Sequence, residues 1–183
     1  MDVNLGGKYI ETEWRKTPQY QGGLLLDGGV HMMAGLRKIL PSKPARITAF
    51  TRLNREFLLP HDTIHSSWLL EDGSTGAISI SFASSGYRHE IELMGQEGSI
   101  VVKIGYPESS VTLHKRKQDP EVKGFNNDNK IAIAGEFEEF AKAIKEGKKD
   151  PRGDPMEALA DLTAIESILQ SGANGGQPIA AKF

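Results

Sequence analysis

The chain has 183 residues, of which 38% are hydrophobic and 25% charged, and its formal net charge is −2. This composition is ordinary for a globular protein with one packed core, and its near-neutral charge argues against a nucleic-acid partner. The absence of cysteine excludes disulfides and thiolate sites, and no apolar run approaches a membrane span or a signal peptide.

We therefore expect a single domain over 1–183 in a cytoplasmic protein without a membrane partner. Residues 1–21 are polar and irregular, with the aromatic residues Tyr9, Trp14 and Tyr20 spaced through them, which predicts an N-terminal arm.

The stretch GGLLLDGGVHMMAGLRKIL (22–40) predicts a helix that ends by Pro41. Its apolar residues recur at helical spacing and are expected to face the core: Leu26, Val30, Met33, Leu36 and Leu40. The opposite stripe holds Gly23, Asp27, His31, Gly35 and Lys38.

After Pro41 the hydrophobic period changes to two. Six strands are predicted, over 45–53, 63–71, 74–84, 87–95, 99–105 and 110–116, with Asp72-Gly73 and Glu97-Gly98 in two of the turns. Short turns between consecutive strands favour an antiparallel meander. The stretch 113–123, with its cluster of basic residues, is interpreted as a solvated strand end and loop.

The last third predicts two helices and a short edge strand within GQPIAAKF. The helix over 131–147 places Ile133, Phe137, Phe140 and Ile144 on one face, and the helix over 154–172 begins at an Asp154 cap. The expected buried stripe of the second helix is Leu159, Leu162, Ile165 and Leu169. The predicted fold is α+β, an open and mostly antiparallel sheet with helices packed on one face. Its other face is expected to bind a protein partner.

Most motifs that carry chemistry are missing from the sequence. The glycine pairs lack the strand, GxGxxG turn and helix of a dinucleotide site, and no GxxxxGK[ST] or GxSxG motif occurs. The five histidines lack the spacing of a metal site. We therefore predict neither a cofactor nor a metal.

Asp27 and His31 remain as candidates for acid–base chemistry. Residues four apart share a helix face, so the carboxylate could orient the imidazole. Two structural explanations are also open: Asp27 as a helix N-cap, and His31 as a core histidine.

The stretch from Glu13 to Leu40 resembles the start of the C-terminal domain of the glucose–fructose oxidoreductase, inositol dehydrogenase and rhizopine-catabolism family of NAD(P)-dependent oxidoreductases. The resemblance rests on the pattern W-R, G-G-x-L-x-D-x-G-x-H, on YRHEIELMGQEGSIVV and on the two closing helices. The matching residues of the first pattern are Trp14, Arg15, Gly22, Gly23, Leu25, Asp27, Gly29 and His31.

The resemblance implies an open sheet that forms homodimers through its free face. It also implies an active-site role for the D-x-x-x-H pair, with His31 as the acid or base and Asp27 assisting. The family's Rossmann domain and catalytic lysine have no counterpart in these 183 residues. We therefore favour a cofactor-independent isomerase, lyase or cyclase acting on a small molecule.

Five residues are expected to bind the substrate: Tyr9, Trp14, Arg15, Tyr20 and Lys38. Two alternatives to the cofactor-independent enzyme remain open. One is the substrate-binding half of an NAD(P)-dependent oxidoreductase, and the other is a non-catalytic dimerising module.

Overall fold

The computed structural model describes residues 12–18, 23–127 and 129–181, without the side chains of 129–131. In chain order the elements are α1 (Glu13–Lys16), α2 (Gly23–Ile39), β1 (Pro44–Arg52), β2 (Thr63–Leu70), β3 (Thr75–Ser81), β4 (Glu90–Met94), β5 (Gly98–Lys103), β6 (Glu108–Lys115), β7 (Glu121–Asn126), α3 (Asn129–Glu146), α4 (Pro155–Ala173) and β8 (Ile179–Ala180). The chain divides into two compact units: unit 1 comprises Met1–Gly86 with Asp154–Phe183, and unit 2 comprises Tyr87–Gly153. The single domain over 1–183 stays a prediction.

The α+β class with antiparallel, open sheets is confirmed, but the strands form two sheets of four rather than one. Sheet 1 has the order β3-β2-β1-β8, and sheet 2 has the order β4-β5-β6-β7. The predicted meander breaks between β3 and β4 because residues 82–89 contain two bends and no tight hairpin turn.

Unit 1 contains the buried core. Strands β1, β2 and β3 alternate, so that residues such as Ile47, Ile64 and Ile80 point inward and are at most 6% exposed. Helices α2 and α4 pack against each other, and α4 also packs against β1. The predicted layer of helices on one sheet face is therefore present in unit 1.

The buried stripe of α2 differs from the predicted one. Leu25, Gly29 and Met33 are buried, whereas Val30, Leu36 and other predicted core residues are only partly buried. The stripe is rotated because Gly29 faces α4: a Cβ there would lie 3.1 Å from Ile165 Cδ1. A glycine thus takes a core position that hydrophobic periodicity assigns to a larger side chain.

The predicted stripe of α4 is wrong in its first half. Leu159 and Leu162 are 52% and 41% exposed, while Ile165 and Leu169 are buried as expected.

The last turns of α4 approach β1 closely through small residues. Ser171 Oγ accepts a hydrogen bond from Ala49 N–H at 2.8 Å and donates one to the Gln177 carbonyl at 2.7 Å. Strand β8 pairs only with Arg46 and Ile47 of β1. The Ser171 side chain therefore accepts a hydrogen bond from the Ala49 N–H, which lies past the end of this short edge strand.

Unit 2 differs from the sequence expectation in two ways. The stretch taken for a loop ends in strand β7, which pairs with β6; its EVKGFN sequence contains a glycine and lacks strong alternation. Helix α3 forms, but Ile133, Phe137, Phe140 and Ile144 are each more than half exposed. After α3, Arg152 donates to Glu139 and to Asp150. The hydrogen bonds from the Arg152 side chain and from its backbone N–H to Asp150 hold the pKa of Asp150 at about 2.

Candidate functional site

The candidate site lies where α1 meets α2. Helix α1 is a single turn, and Thr12 precedes it in an extended conformation. It contacts α2 through Arg15, whose side chain is only 12% exposed. The Arg15 guanidinium also lies over the ring of Trp14, 3.8 Å from its centroid. Trp14 itself is 53% exposed, so the site presents an aromatic surface to solvent.

Arg15 and Asp27 form the central ion pair of this site. Arg15 Nε donates to Asp27 Oδ2 at 3.0 Å, and Arg15 Nη2 lies 3.0 Å from the same oxygen. Arg15 Nη1 donates to Thr12 Oγ1 at 3.1 Å. Sequence reasoning did not find Thr12, since a threonine three residues before an arginine carries no specific signal. The structure thus joins the arm residues to the aspartate.

His31 stands one turn after Asp27, and its side chain is exposed. Among the described residues it has no hydrogen bond with Asp27, whose carboxylate is engaged by Arg15. Both structural explanations from the sequence are wrong: Asp27 is the fifth residue of α2 rather than its N-cap, and His31 is not in the core. Lys38 is exposed in the last turn of α2, seven residues after His31. A rise of about 1.5 Å per residue places Lys38 about 10 Å further along the helix.

Glycines of α2 pack closely against the rest of unit 1. At Gly23 the φ angle is +48°, and a Cβ would overlap the Leu59 carbonyl oxygen at 2.0 Å. A Cβ at Gly28 would lie 2.5 Å from Phe82 Cζ. A Cβ at Gly35, in contrast, would meet no atom within 4 Å outside its own helix backbone and chain neighbours. Packing therefore requires glycine at two of these positions, while Gly35 lies on the open surface beside His31.

The loop between β1 and β2 packs against the first turn of α2, where Leu59 lies beside Gly23. Asp62 holds this loop together through its hydrogen bonds. This fully buried carboxylate accepts hydrogen bonds from the N–H groups of Asn54 and Arg55, and from the side chains of Asn54 and Thr63. Burial alone raises the pKa of Asp62, but these hydrogen bonds together lower it below the ordinary value. No signal in the sequence singles out Asp62, because its partners become neighbours only in the folded loop.

The remaining predicted site residues, Tyr9 and Tyr20, lie outside the described residues. Within the described part of the chain, no group of three or more histidine, aspartate or glutamate residues could hold a metal ion. No helix there is both long and apolar enough to cross a membrane.

The described residues contain no dinucleotide-binding turn. The glycines of α2 do not follow a strand, as a GxGxxG turn does. The Leu59 carbonyl lies in the space beside Gly23, near the helix end where a phosphate would have to approach the backbone. The described residues therefore do not fit a dinucleotide phosphate at this helix end.

Three comparisons place the chain among known proteins. Residues 2–180 match the model described as "Oxidoreductase family, C-terminal alpha/beta domain". The chain is 39% identical to Dehydrogenase FPY6 of Fusarium mangiferae and 27% identical to the uncharacterized protein YMR315W of Saccharomyces cerevisiae. These matches cover 96% and 92% of this chain but 51% of each relative.

A solved structure shows the same fold. The oxidoreductase TM0312 of Thermotoga maritima superposes with a TM-score of 0.78 and 31% identity, over 99% of this chain and 50% of that protein. The chain therefore spans about half the length of the relatives it matches.

Proposed function

Because this chain belongs to the Gfo/Idh/MocA oxidoreductase family, whose C-terminal α/β domain it matches over residues 2–180, we propose that it is the substrate-binding half of an oxidoreductase. Its substrate in this proposal is a small molecule, and His31 is the group that gives or takes a proton. One observation carries the assignment: α2 exposes His31 one turn after an aspartate whose charge is balanced by Arg15. Among the residues that the structure describes, none forms a hydrogen bond with either nitrogen of this exposed imidazole.

In this proposal each residue of the site has a separate role in binding the substrate. Arg15 fixes α1 to α2 through Asp27, so Trp14 is held beside the helix face that carries His31. The exposed Trp14 ring is suited to stack against an apolar face of the substrate. Lys38 provides a positive charge at the far end of the same helix. An imidazole at such a surface is suited to general acid–base catalysis near neutral pH.

The proposal is tested in a chimera. This chain replaces the matched half of the Fusarium dehydrogenase, and turnover is measured with that enzyme's own substrate and nicotinamide cofactor. We expect a folded, active chimera, and His31→Ala should lower kcat by about 100-fold, within the usual range for loss of an acid–base group. The matched control is His114→Ala, an exposed histidine of β6, which should leave kcat unchanged. A folded but inactive chimera, or full activity after His31→Ala, contradicts the proposal.

A second candidate function is a cofactor-independent isomerase, lyase or cyclase. It is favoured by the placement of Arg15, Asp27, Trp14 and His31 in one unit of this chain, so that acid–base chemistry needs no residue from elsewhere. Under this alternative the isolated chain converts a hydroxylated or carbonyl substrate without a nicotinamide, and His31→Ala abolishes the conversion. Conversion that requires NAD(P)H and the nucleotide-binding half of the chimera excludes it.

We also propose that the chain forms a homodimer through sheet 2. None of the described residues of 87–153 is fully buried, and Ile100 and Phe125 are 37% and 43% exposed. The strand register puts these two side chains on the same face as Leu93, Val102 and Val111. An exposed apolar face of this kind is typical of an interaction surface. An Ile100→Glu, Phe125→Glu variant should be monomeric by light scattering, and a dimer that persists in it contradicts this interface.

A further inference from the structure

Helix α4 ends in a glycine turn that the proposed function does not use. Asn174 is the C-cap residue, with φ and ψ angles of −95° and 25°. Gly175 follows with a φ angle of +66°, in the left-handed region that favours glycine. Its N–H donates to the Gly172 carbonyl at 3.2 Å. The Gly176 N–H donates to the Ser171 carbonyl at 2.8 Å, which completes the Schellman pattern of a helix end.

This turn places an unrestrained side-chain amide beside an unhindered backbone nitrogen. Asn174 is exposed, and no described residue forms a hydrogen bond with its carboxamide. Gly175 is also exposed, and a Cβ built on it would meet no atom within 4 Å. Without a Cβ, the Gly175 nitrogen can approach the carboxamide carbon of Asn174 more closely than that of any other residue could. The two groups together can close a five-membered ring.

Other asparagines of the chain differ from Asn174 in both respects. Asn174 is the one asparagine in the sequence that a glycine follows. Asn54 Nδ2 donates to Asp62 Oδ1 at 3.1 Å, and Asn127 Nδ2 donates to the Gly105 carbonyl at 2.8 Å. Their carboxamides are therefore held in place, and each precedes a residue that has a side chain. The combination of a free carboxamide and a glycine distinguishes position 174.

The same turn holds Ser171, the buried residue that links α4 to β1. Ser171 Oγ accepts from the Ala49 N–H and donates to the carbonyl of Gln177, which follows the turn. The Gln177 N–H in turn donates to the Asn174 carbonyl at 3.3 Å. Strand β8 begins two residues later and has only two residues. A change in the main chain at Asn174 therefore acts on Ser171 and on β8 together.

We propose that Asn174-Gly175 is a site of spontaneous deamidation, which loosens the connection between α4 and β8 as the protein ages. The Gly175 nitrogen forms a bond to Asn174 Cγ, the bond from Cγ to Nδ2 breaks, and ammonia leaves with the proton of the Gly175 N–H. Water then adds to the resulting succinimide and opens it to aspartate or isoaspartate, without any change of oxidation state. Isoaspartate carries one extra methylene group in the main chain.

The folded turn sets the rate of this reaction and its consequence. The hydrogen bond from the Gly175 N–H to the Gly172 carbonyl must open before the nitrogen can attack. Helix ends open at a low cost in free energy, so the reaction is slower in the folded chain than in the unfolded chain but is not blocked. Both products place a negative charge at the C-terminus of α4, where the helix dipole disfavours it. The isoaspartate also displaces the donors and acceptors that meet Ser171.

Peptide mass mapping of the full chain, aged in warm and mildly alkaline buffer, tests the proposal. We expect deamidation at Asn174 to be at least about tenfold faster than at Asn54 or Asn127, with isoaspartate among the products. Gly175→Ala should slow it about tenfold or more, because a Cβ hinders the attack. Gly147→Ala is the matched control: Gly147 follows α3 with a φ angle of +63° and the same open surroundings, but no asparagine precedes it. This variant should leave the rate at Asn174 unchanged.

Amide hydrogen exchange measures the structural consequence. In the aged chain the amides of β8 and of Ala49 should exchange faster than in the fresh chain, while those of β2 should not change. Asn174→Gln, which cannot close the five-membered ring, should keep the exchange rates of the fresh protein after the same treatment. Circular dichroism of the fresh variants shows that each is folded. Deamidation at Asn174 no faster than at Asn54, an unchanged rate in the folded Gly175→Ala variant, or unchanged exchange of β8 in the deamidated chain overturns the proposal.

Discussion

Arg15 and Asp27 are joined through one carboxylate oxygen: Nε and Nη2 of the arginine both lie 3.0 Å from Oδ2 of the aspartate. The two residues come from separate helices, and their side chains are 12% and 22% exposed. The pair thus ties the short α1 to α2 and removes Asp27 as the immediate partner of His31. This contact determines what the D-x-x-x-H pattern can do in the folded chain.

The Arg15–Asp27 pair should show energetic coupling. In a double-mutant cycle with Arg15→Gln and Asp27→Asn, we expect a coupling free energy of about 1 kcal/mol, since the pair is partly buried and two arginine nitrogens contact the same carboxylate oxygen. Urea unfolding of the four proteins measures it. The coupling should decrease in 1 M salt, and additivity of the two single substitutions would contradict a direct interaction.

Substitution of Asp62 should destabilise unit 1 strongly. Asp62→Ala removes the acceptor of four hydrogen bonds and leaves buried donors of the loop unpaired, so we expect a loss of about 2–3 kcal/mol in the free energy of unfolding. Urea unfolding at neutral pH checks this loss. Asp72→Ala is the control for an exposed aspartate in a turn, and a loss as large in that variant would contradict the special role of Asp62.

The pH dependence of stability should also reflect Asp62. Its folded-state pKa lies below the ordinary value of 3.8, so the folded protein binds its proton less readily than the unfolded chain does. Its contribution is therefore fully present above about pH 4 and is lost as the pH falls through the folded-state pKa. The stability difference between wild type and Asp62→Asn, measured by urea unfolding, should shrink on acidification below pH 4. A difference that stays constant would be inconsistent with this linkage.

Two glycines of α2 should respond oppositely to alanine. Gly28→Ala places a methyl group 2.5 Å from Phe82 Cζ, and we expect a destabilisation of about 1–3 kcal/mol from overpacking. Gly35→Ala meets no atom within 4 Å and should stabilise the helix by about 0.5–1 kcal/mol. Thermal and urea unfolding measure both. Effects of the same sign would show that helix propensity, rather than the contact with Phe82, decides the outcome.

Arg37 should be required to balance the negative charge of Asp161 where α2 packs against α4. Its guanidinium contacts the carboxylate of Asp161, the side chain of Glu157 and the Glu157 carbonyl, and Asp161 is only 7% exposed. Arg37→Met leaves that carboxylate buried without its cation and should cost about 3 kcal/mol. Combining it with Asp161→Leu should restore most of the stability. A double variant as unstable as Arg37→Met alone would show that the packing of Arg37 matters more than its charge.

The sequence determined those features that depend on neighbours along the chain. Hydrophobic periodicity located α2, α3, α4 and six of the seven longer strands, and the Asp154 cap with Pro155 marked the start of α4. The motif from Trp14 to His31 was sufficient to indicate the family. These signals are local, since a helix or strand records its period and its ends in consecutive residues.

Tertiary structure alone decided which faces are buried and which polar groups meet. Gly29 lies where α2 meets α4 and Ser171 lies where α4 meets β1, so the buried stripes differ from those that the largest apolar residues predict. The partner of Asp27 is an arginine twelve positions away rather than the histidine one turn along its own helix. The row of Phe50, His65 and Ser79 across sheet 1 likewise exists only because the strand register aligns these three residues. Periodicity gives each element its amphipathic character, but the approach of neighbouring elements selects the contacts.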